Sequence, residues 1–334
     1  MSTKIEASAR QRALSYRRLP PSPALAEYVR SYHYVEPLAG EAAAHPFAVS
    51  IFPLVGFFVR EPCKAFEYSL GQTRVLPRTI AVGPCDHRVA DVLNLGHLTH
   101  FTVVFQPTGF FRLFRVSPWE VRNYAYDCGD VLGERIAGLH ARLCEAMCPE
   151  QMVAAVEDAL LGACTNALPR SPMHSAATVL LRSKGKADLF AVTDSLGLSD
   201  SSWRRHFSTE IGVTPKRYLR MLRFRHAIAL KRRSAEKLWT QICLEAGYYD
   251  QAHFISECQA LVGSSPSQFM RELAAIPEPM AAAWYGPGSS LPGERTLATA
   301  RASRARREFS TLSVDAGATN QAKVFRSFGA RVCR

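Results

Sequence analysis

The stretch GYYDQAHFISECQALVGSSPSQF, Gly247 to Phe269, decides how this chain is read, because its outline recurs fifty residues upstream. At an offset of 50, Val192 aligns with Ile242, Thr193 with Cys243, Gly197 with Gly247, Leu198 with Tyr248 and Asp200 with Asp250. One inserted residue makes the offset 51, and Trp203 aligns with Phe254, Gly212 with Gly263, Pro215 with Pro266 and Tyr218 with Phe269. Two copies are too few to stack into a stable solenoid. Each copy instead carries the parts of a helix-turn-helix. Thr193 or Cys243 is small enough for two helices to cross closely, and Gly197 or Gly247 can take the positive φ of a tight turn. Ser199-Asp200-Ser201, or Asp250, offers an N-cap to the second helix. Trp203 and Phe207, or Phe254 alone, pin one face of that helix and leave the other free for a major groove.

Charge supports the same reading. The formal charge is +12, yet Met1 to Arg170 holds 17 Lys/Arg against 16 Asp/Glu. From Arg204 to Arg233 there are ten basic residues and one acid, Glu210, a net of +9. A solvated helix face normally mixes in Glu; this band hardly does, and a polyanion is its natural partner.

The rest of the chain reads as an α+β, two-domain protein. Short apolar runs separated by Gly and Pro (SYHYV, FAVSIF, GFFV, RTIAVG, FTVVF) suggest strands up to about Arg115. From Pro118, GERIAGLHARLCEAM and PEQMVAAVEDALLGAC show helical spacing. The expected division is residues 1–165 for a β-rich domain with following helices, 166–175 for a linker with two prolines, 176–274 for an all-α domain and 277–334 for a disordered basic tail. In that tail Arg301, Arg304, Arg306 and Arg307 could add non-specific affinity for DNA. No apolar run approaches the ~20 residues that span a bilayer, and the N-terminus lacks the apolar core of a secretory signal, so a cytoplasmic, nucleoid-associated protein is expected. Nine cysteines without a C-x-x-C pair fit reduced thiols, and Cys144 and Cys148, four apart, read as buried free thiols on one face.

The tandem motif joined by one basic helix resembles the DNA-binding region of the AraC/XylS family of bacterial transcriptional regulators. The resemblance rests on GLSDSSWRRHFSTEIGVTPKRYLRMLRFRHAIAL, IC-x-x-x-GYYDQAHF and GSSPSQF, roughly Ala187 to Leu273, about a quarter of the chain. It implies two recognition helices bridged by a long helix, here about Pro215 to Arg233, entering successive major-groove segments about 34 Å apart. On that basis Ser201, Ser202, Arg204 and Arg205 of the first recognition helix face the groove, the arginines suiting guanine or phosphate. Gln251, His253, Ile255 and Ser256 take the same place in the second, with Gln251 suited to adenine, and Lys216, Arg217, Arg220 and Arg223 are assigned to phosphates. Double-stranded DNA is the implied partner, with RNA polymerase and a second copy of the chain as further candidates; no cofactor is expected.

The second motif departs from the family pattern. Relatives continue it with a basic residue, a phenylalanine and a Lys/Arg run, where this chain has Ser256, Cys258, Gln259 and Ala260. Ser234 to Glu272 carries two basic residues against five acids. Cys258, opposite Phe207 in the repeat, also offers a smaller core plug, worth ~3 kcal/mol if the volume is not refilled. These features suggest an asymmetric reader that draws most affinity from the first motif and the linker helix. The alternative is a decayed regulator that works as a sensor or interaction module through its N-terminal domain.

HPFAVSIFPLVGFFV, LPRTIAVGP and LTHFTVVFQPTGFFRLFRVSPWEV are similar to the cupin-like sensor and dimerisation domain that accompanies this DNA-binding region, with a Phe-x-Pro-x-Gly element ending the sheet. A small-molecule effector is then expected in an apolar barrel interior. Tyr32, Tyr34, Phe52, Phe57 and Phe105 could line it, although aromatics at strand spacing are more often plain core. His87, His97 and His100 lack the His-x-His spacing of a cupin metal site, and no G-x-S-x-G, phosphate-binding or dinucleotide motif occurs. An enzyme is not expected.

Overall fold

Runs of alternating side chains build two antiparallel sheets in the N-terminal half of the computed structural model, which describes residues 15–36, 44–93, 98–274, 276 and 281. In chain order the strands are β1 (Ser15–Leu19), β2 (Val29–Glu36), β3 (His45–Phe47), β4 (Leu54–Phe58) and β5 (Lys64–Glu67). There follow β6 (Gln72–Val75), β7 (Thr79–Val82), β8 (Ala90–Val92), β9 (His100–Phe105) and β10 (Tyr126–Asp127). One sheet has the order β1-β2-β9-β4-β7-β10 and the other β3-β8-β5-β6. No strand pair joins the two among the described residues, so they form a sandwich and not the closed barrel expected from sequence.

Strand periodicity sorts the larger sheet's side chains. Tyr32, Tyr34, Phe57, Phe101 and Phe105 point to the face covered by helices α1 (Gly109–Phe114), α2 (Cys128–Leu132), α3 (Glu134–Ala137), α4 (Leu139–Glu145) and α5 (Pro149–Cys164). The alternating Gly56, Phe58, Ile80, His100 and Thr102 face the smaller sheet. Of the five aromatics considered for a ligand chamber, none lines the space between the sheets. Four lie on the helix-covered face, and Phe52 sits under the Arg30 guanidinium, 4.4 Å from its ring centre. Plain core is their role.

The Phe-x-Pro-x-Gly element ends β9 and opens α1. A Cβ at Gly109 would lie 2.0 Å from the Tyr28 carbonyl oxygen, so only glycine lets the chain turn there. Other expectations change. Within FAVSIF only Phe47 belongs to a strand; Ala48 to Phe52 leave the sheet and join the core shared with the C-terminal helices. The last part of the presumed linker is helical, because Pro172 is the first residue of α6 (Pro172–Arg182) and the Ser171 hydroxyl caps Met173 N at 3.2 Å. Cys144 is exposed in the last turn of α4 while Cys148 is the N-cap of α5, so they are neither buried nor on one helix face. The eight described cysteines are free thiols. Of the predicted tail only Ala281 is described, and it is buried in the core shared with the C-terminal helices; the other tail residues, Arg301, Arg304, Arg306 and Arg307 among them, lie outside the described residues.

The C-terminal domain continues with α7 (Leu189–Ser195), α8 (Asp200–Ile211), α9 (Pro215–Arg233), α10 (Trp239–Ala246), α11 (Gln251–Val262) and α12 (Pro266–Ala274). α9 is its spine: Tyr218, Leu219, Met221, Leu222, Phe224, Ala227 and Ile228 are all buried. Apolar packing runs on from these helices into the inner strands of the sandwich.

Candidate nucleic-acid interface

The two halves of the repeat fold alike because the same residues set the same backbone. Gly197 and Gly247 have φ of +63° and +87° in the turns after α7 and α10, and Gly212 and Gly263, at +94° and +69°, close α8 and α11. Ser199 accepts from Ser202 N at 3.3 Å and Asp250 from His253 N at 2.7 Å, capping both recognition helices. Pro215 and Pro266 each open the helix that follows.

Behind the recognition helices the cores differ in residue. In the first, Trp203 packs edge-on against Phe207 at 4.8 Å, and Phe207 against Tyr218 at 5.6 Å. In the second, Cys258 is fully buried at Phe207's counterpart. Tyr248 replaces Leu198 and lies 4.9 Å from Phe254, while Trp239 replaces Leu189 at 5.3 Å from Phe254. These two larger rings act in the direction that offsets the cavity cost Cys258 alone suggests.

On α8, Ser201, Arg204 and Arg205 are exposed and Ser202 is half-buried beneath the cap. Arg204 pairs with Asp200 one turn back at 2.7 Å, an exposed pair worth little. Arg205 makes no ion pair among the described residues. Lys216, at the exposed start of α9, is likewise unpaired. The remaining arginines proposed for phosphates are engaged by acceptors of the protein itself, Arg217 while still exposed. Arg217 Nε reaches Asp86 Oδ2 at 2.8 Å. Arg220 makes a bidentate pair with Glu257 at 2.9 and 2.8 Å. Arg223 donates to the Gly185 carbonyl at 3.1 Å, 5.6 Å from the Tyr248 ring centre. Arg225, also in the basic band, is buried and donates to Val49 O at 3.2 Å. The band is thus partly an internal fastening.

α11 presents a neutral face. Ala252, His253, Ile255, Ser256, Gln259 and Ala260 are exposed and Gln251 half-buried, while Phe254, Cys258 and Leu261 point inward. His253 packs edge-on against Tyr248 at 5.4 Å.

Sequence reasoning missed the acids that hold this domain against the sandwich. Asp86 is 2% exposed; burial opposes its charge, but His87 Nδ1 at 2.7 Å, Arg217 and Asn123 Nδ2 at 3.2 Å hold its carboxyl below the usual range. Arg88 grips Asp91 with two bonds of 2.8 Å and Glu272 of α12 with a third of 2.8 Å. Glu210, the lone acid of the basic band, accepts from the Ser171 hydroxyl, and burial raises its carboxyl. These contacts join distant parts of the chain, which periodicity cannot register.

Behind Asp86 and Arg88 lies a cavity of about 110 Å³ between the sheets. Its walls include Phe47, Phe58, Ile80 and Val92, and no Lys or Arg is among them. Glu67 in the wall is neutralised by Arg74 at 2.8 and 2.9 Å. His100, also in the wall, is pushed down to about 4 by burial and is uncharged at neutral pH. Asn123 lines the same cavity and bonds Asp86 directly.

A pair of capped, glycine-turned helix-turn-helix units on one spine defines a DNA-binding domain. Residues 192–272 match the family model described as a helix-turn-helix domain, and this region of the chain is a helix-turn-helix of the AraC type. No curated protein matches the sequence. Among solved structures, ToxT from Vibrio cholerae is similar at 11% identity over 78% of this chain and 98% of that one, with a TM-score of 0.41. ToxT bound to (E)-4-(8-methylnaphthalen-1-yl)but-3-enoic acid gives 10% identity, 78% and 99% coverage and a TM-score of 0.40. ToxT bound to an unsaturated fatty acid gives 10%, 79% and 96%, and 0.39. Among the described residues no helix is long and apolar enough to cross a membrane.

Proposed function

We propose that the protein is a sequence-specific transcriptional regulator whose two recognition helices contribute unequally, and whose sandwich domain restrains the DNA-binding domain. The observation that carries this is the contrast between the outward cations Arg205 and Lys216 of the first unit and the neutral face of α11. The Asp86–Arg217 pair supports the restraint: a guanidinium held by a buried carboxylate is withheld from phosphate.

Salt titration of binding to duplex DNA tests both parts. Each phosphate contact contributes about −0.9 to the slope of log affinity against log salt. Lys216→Ala is expected to flatten the slope by about that amount, and Asp86→Asn, by freeing Arg217, to steepen it by a similar amount. An unchanged slope for Asp86→Asn would remove the restraint from the account. Absence of DNA binding at low salt would leave the sandwich acting alone as a sensor or interaction module.

The cavity is the proposed effector site. Its walls favour an uncharged, largely apolar molecule of about the size of one aromatic ring, since a comparable apolar cavity of ~150 Å³ accommodates benzene. Benzene or a similar single-ring neutral aromatic is expected to raise the melting temperature, and a short carboxylate such as octanoate is not. Stabilisation by the carboxylate alone would reverse that assignment. Cavity occupancy has a direct route to the interface, through Asn123 to Asp86 and Arg217.

A further inference from the structure

We propose that α11 reads an A·T half-site, touching thymine methyl groups with Ala252 and Ile255 and pairing adenine with Gln251, while Arg205 of α8 reads guanine. The inference rests on the DNA-binding reading above and adds base identity to it.

The buried stripe of α11, Phe254, Cys258 and Leu261, fixes which side points outward. Helical spacing then places Ala252, Ser256 and Gln259 on the opposite side, with exposed Ile255 at its edge and half-buried Gln251 in the first turn beside the stripe. Ile255 is 41% exposed, so its methyls are open to a partner in the groove. Glu257, the helix's one acid, is taken by both nitrogens of the Arg220 fork and does not face the groove as a free carboxylate. α11 contains no Lys or Arg.

The major-groove code decides the rest. Guanine is read chiefly by Arg or Lys at O6 and N7, adenine by Gln or Asn at N6 and N7, and the thymine C5-methyl by apolar side chains. α11 has the second and third of these and lacks the first. His253 is packed edge-on against Tyr248 at the turn, and the exposed Ser256 hydroxyl can pair with any base without favouring guanine. α8 has the reverse equipment. Arg204 is turned back to Asp200, leaving Arg205 as its unpaired guanidinium among the described residues.

The test uses the full chain and a site selected from random duplex DNA, in which each thymine is replaced in turn by uracil, which lacks only the methyl. One half-site is expected to be A·T and to lose about fourfold in affinity per contacted methyl, the worth of one buried methyl-sized group. Ile255→Ser, at a position outside the core, should abolish that sensitivity at one thymine and leave the guanine-containing half-site unchanged. A G·C sequence in both half-sites, or full indifference to uracil, overturns the inference while the DNA-binding reading stands. Failure to select any site overturns both.

Discussion

Lowering the pH from about 7.5 to about 5 is expected to destabilise the sandwich by about 2 kcal/mol for each of three buried histidines. Burial pushes His33 and His45 down to about 3 and His100 to about 4, with the charges of Arg18 and Arg30 adding to the effect at His33 and Arg88 at His45. An unfolded imidazole titrates near 6.5, so between that value and about 4 the unfolded chain binds protons that the folded chain refuses. Stability from these residues is complete above the unfolded pKa and is lost as the pH falls through this window. Denaturant melts at several pH values measure it directly. A midpoint unchanged between pH 7.5 and 5 contradicts the burial assigned to all three, and His100→Phe should remove about a third of the acid sensitivity.

Trp203→Ala should cost about 3–5 kcal/mol, the usual range for deleting a fully buried large aromatic. The indole is 1% exposed, packs on Phe207, and fixes the angle of α8 against its partner helix. Marginal domain stability of ~5–15 kcal/mol makes that loss a large fraction of the total. DNA binding should fall with it, while the far-UV signature of the sheets persists. Trp203→Phe, which keeps the edge-to-face contact with Phe207, is expected to recover most of the loss. Unaltered stability in Trp203→Ala would show that the first unit does not depend on this plug.

The helix-turn-helix pair was legible in the sequence because its determinants are local. Gly197 and Gly247 carry the positive φ their turns require, Ser199 and Asp250 cap as their positions imply, and the basic run from Pro215 to Arg233 is one helix. The sandwich was legible only in part. Both faces of β2 are buried and those of β9 are buried or half-buried, so alternation could not say whether Tyr32 or His33, or Phe101 or Thr102, faces the inner cavity. Ala48 to Phe52 read as strand because burial against α9 selects the same apolar residues as burial in a sheet.

The interface was half legible for a related reason. Counting charge identified the basic band but gave equal weight to cations that project and cations that are tied down. Arg88 meets Glu272 across 184 residues, and Arg217 meets Asp86 from a different domain. Cys258 illustrates the same limit at a smaller scale: read alone it predicts a void, and only the packing of Tyr248 and Trp239 on Phe254 shows that the second unit places its aromatic volume elsewhere.

The central claim is that one chain carries two unequal readers of DNA. Selection of bound sites from random duplex DNA at near-physiological salt, for the wild type and for Arg205→Ala, tests it most directly. The account predicts one asymmetric site with two half-motifs about a helical turn apart, of which Arg205→Ala loses the half read by α8 and keeps the other. A palindromic site, or loss of the same information from both halves, would contradict it.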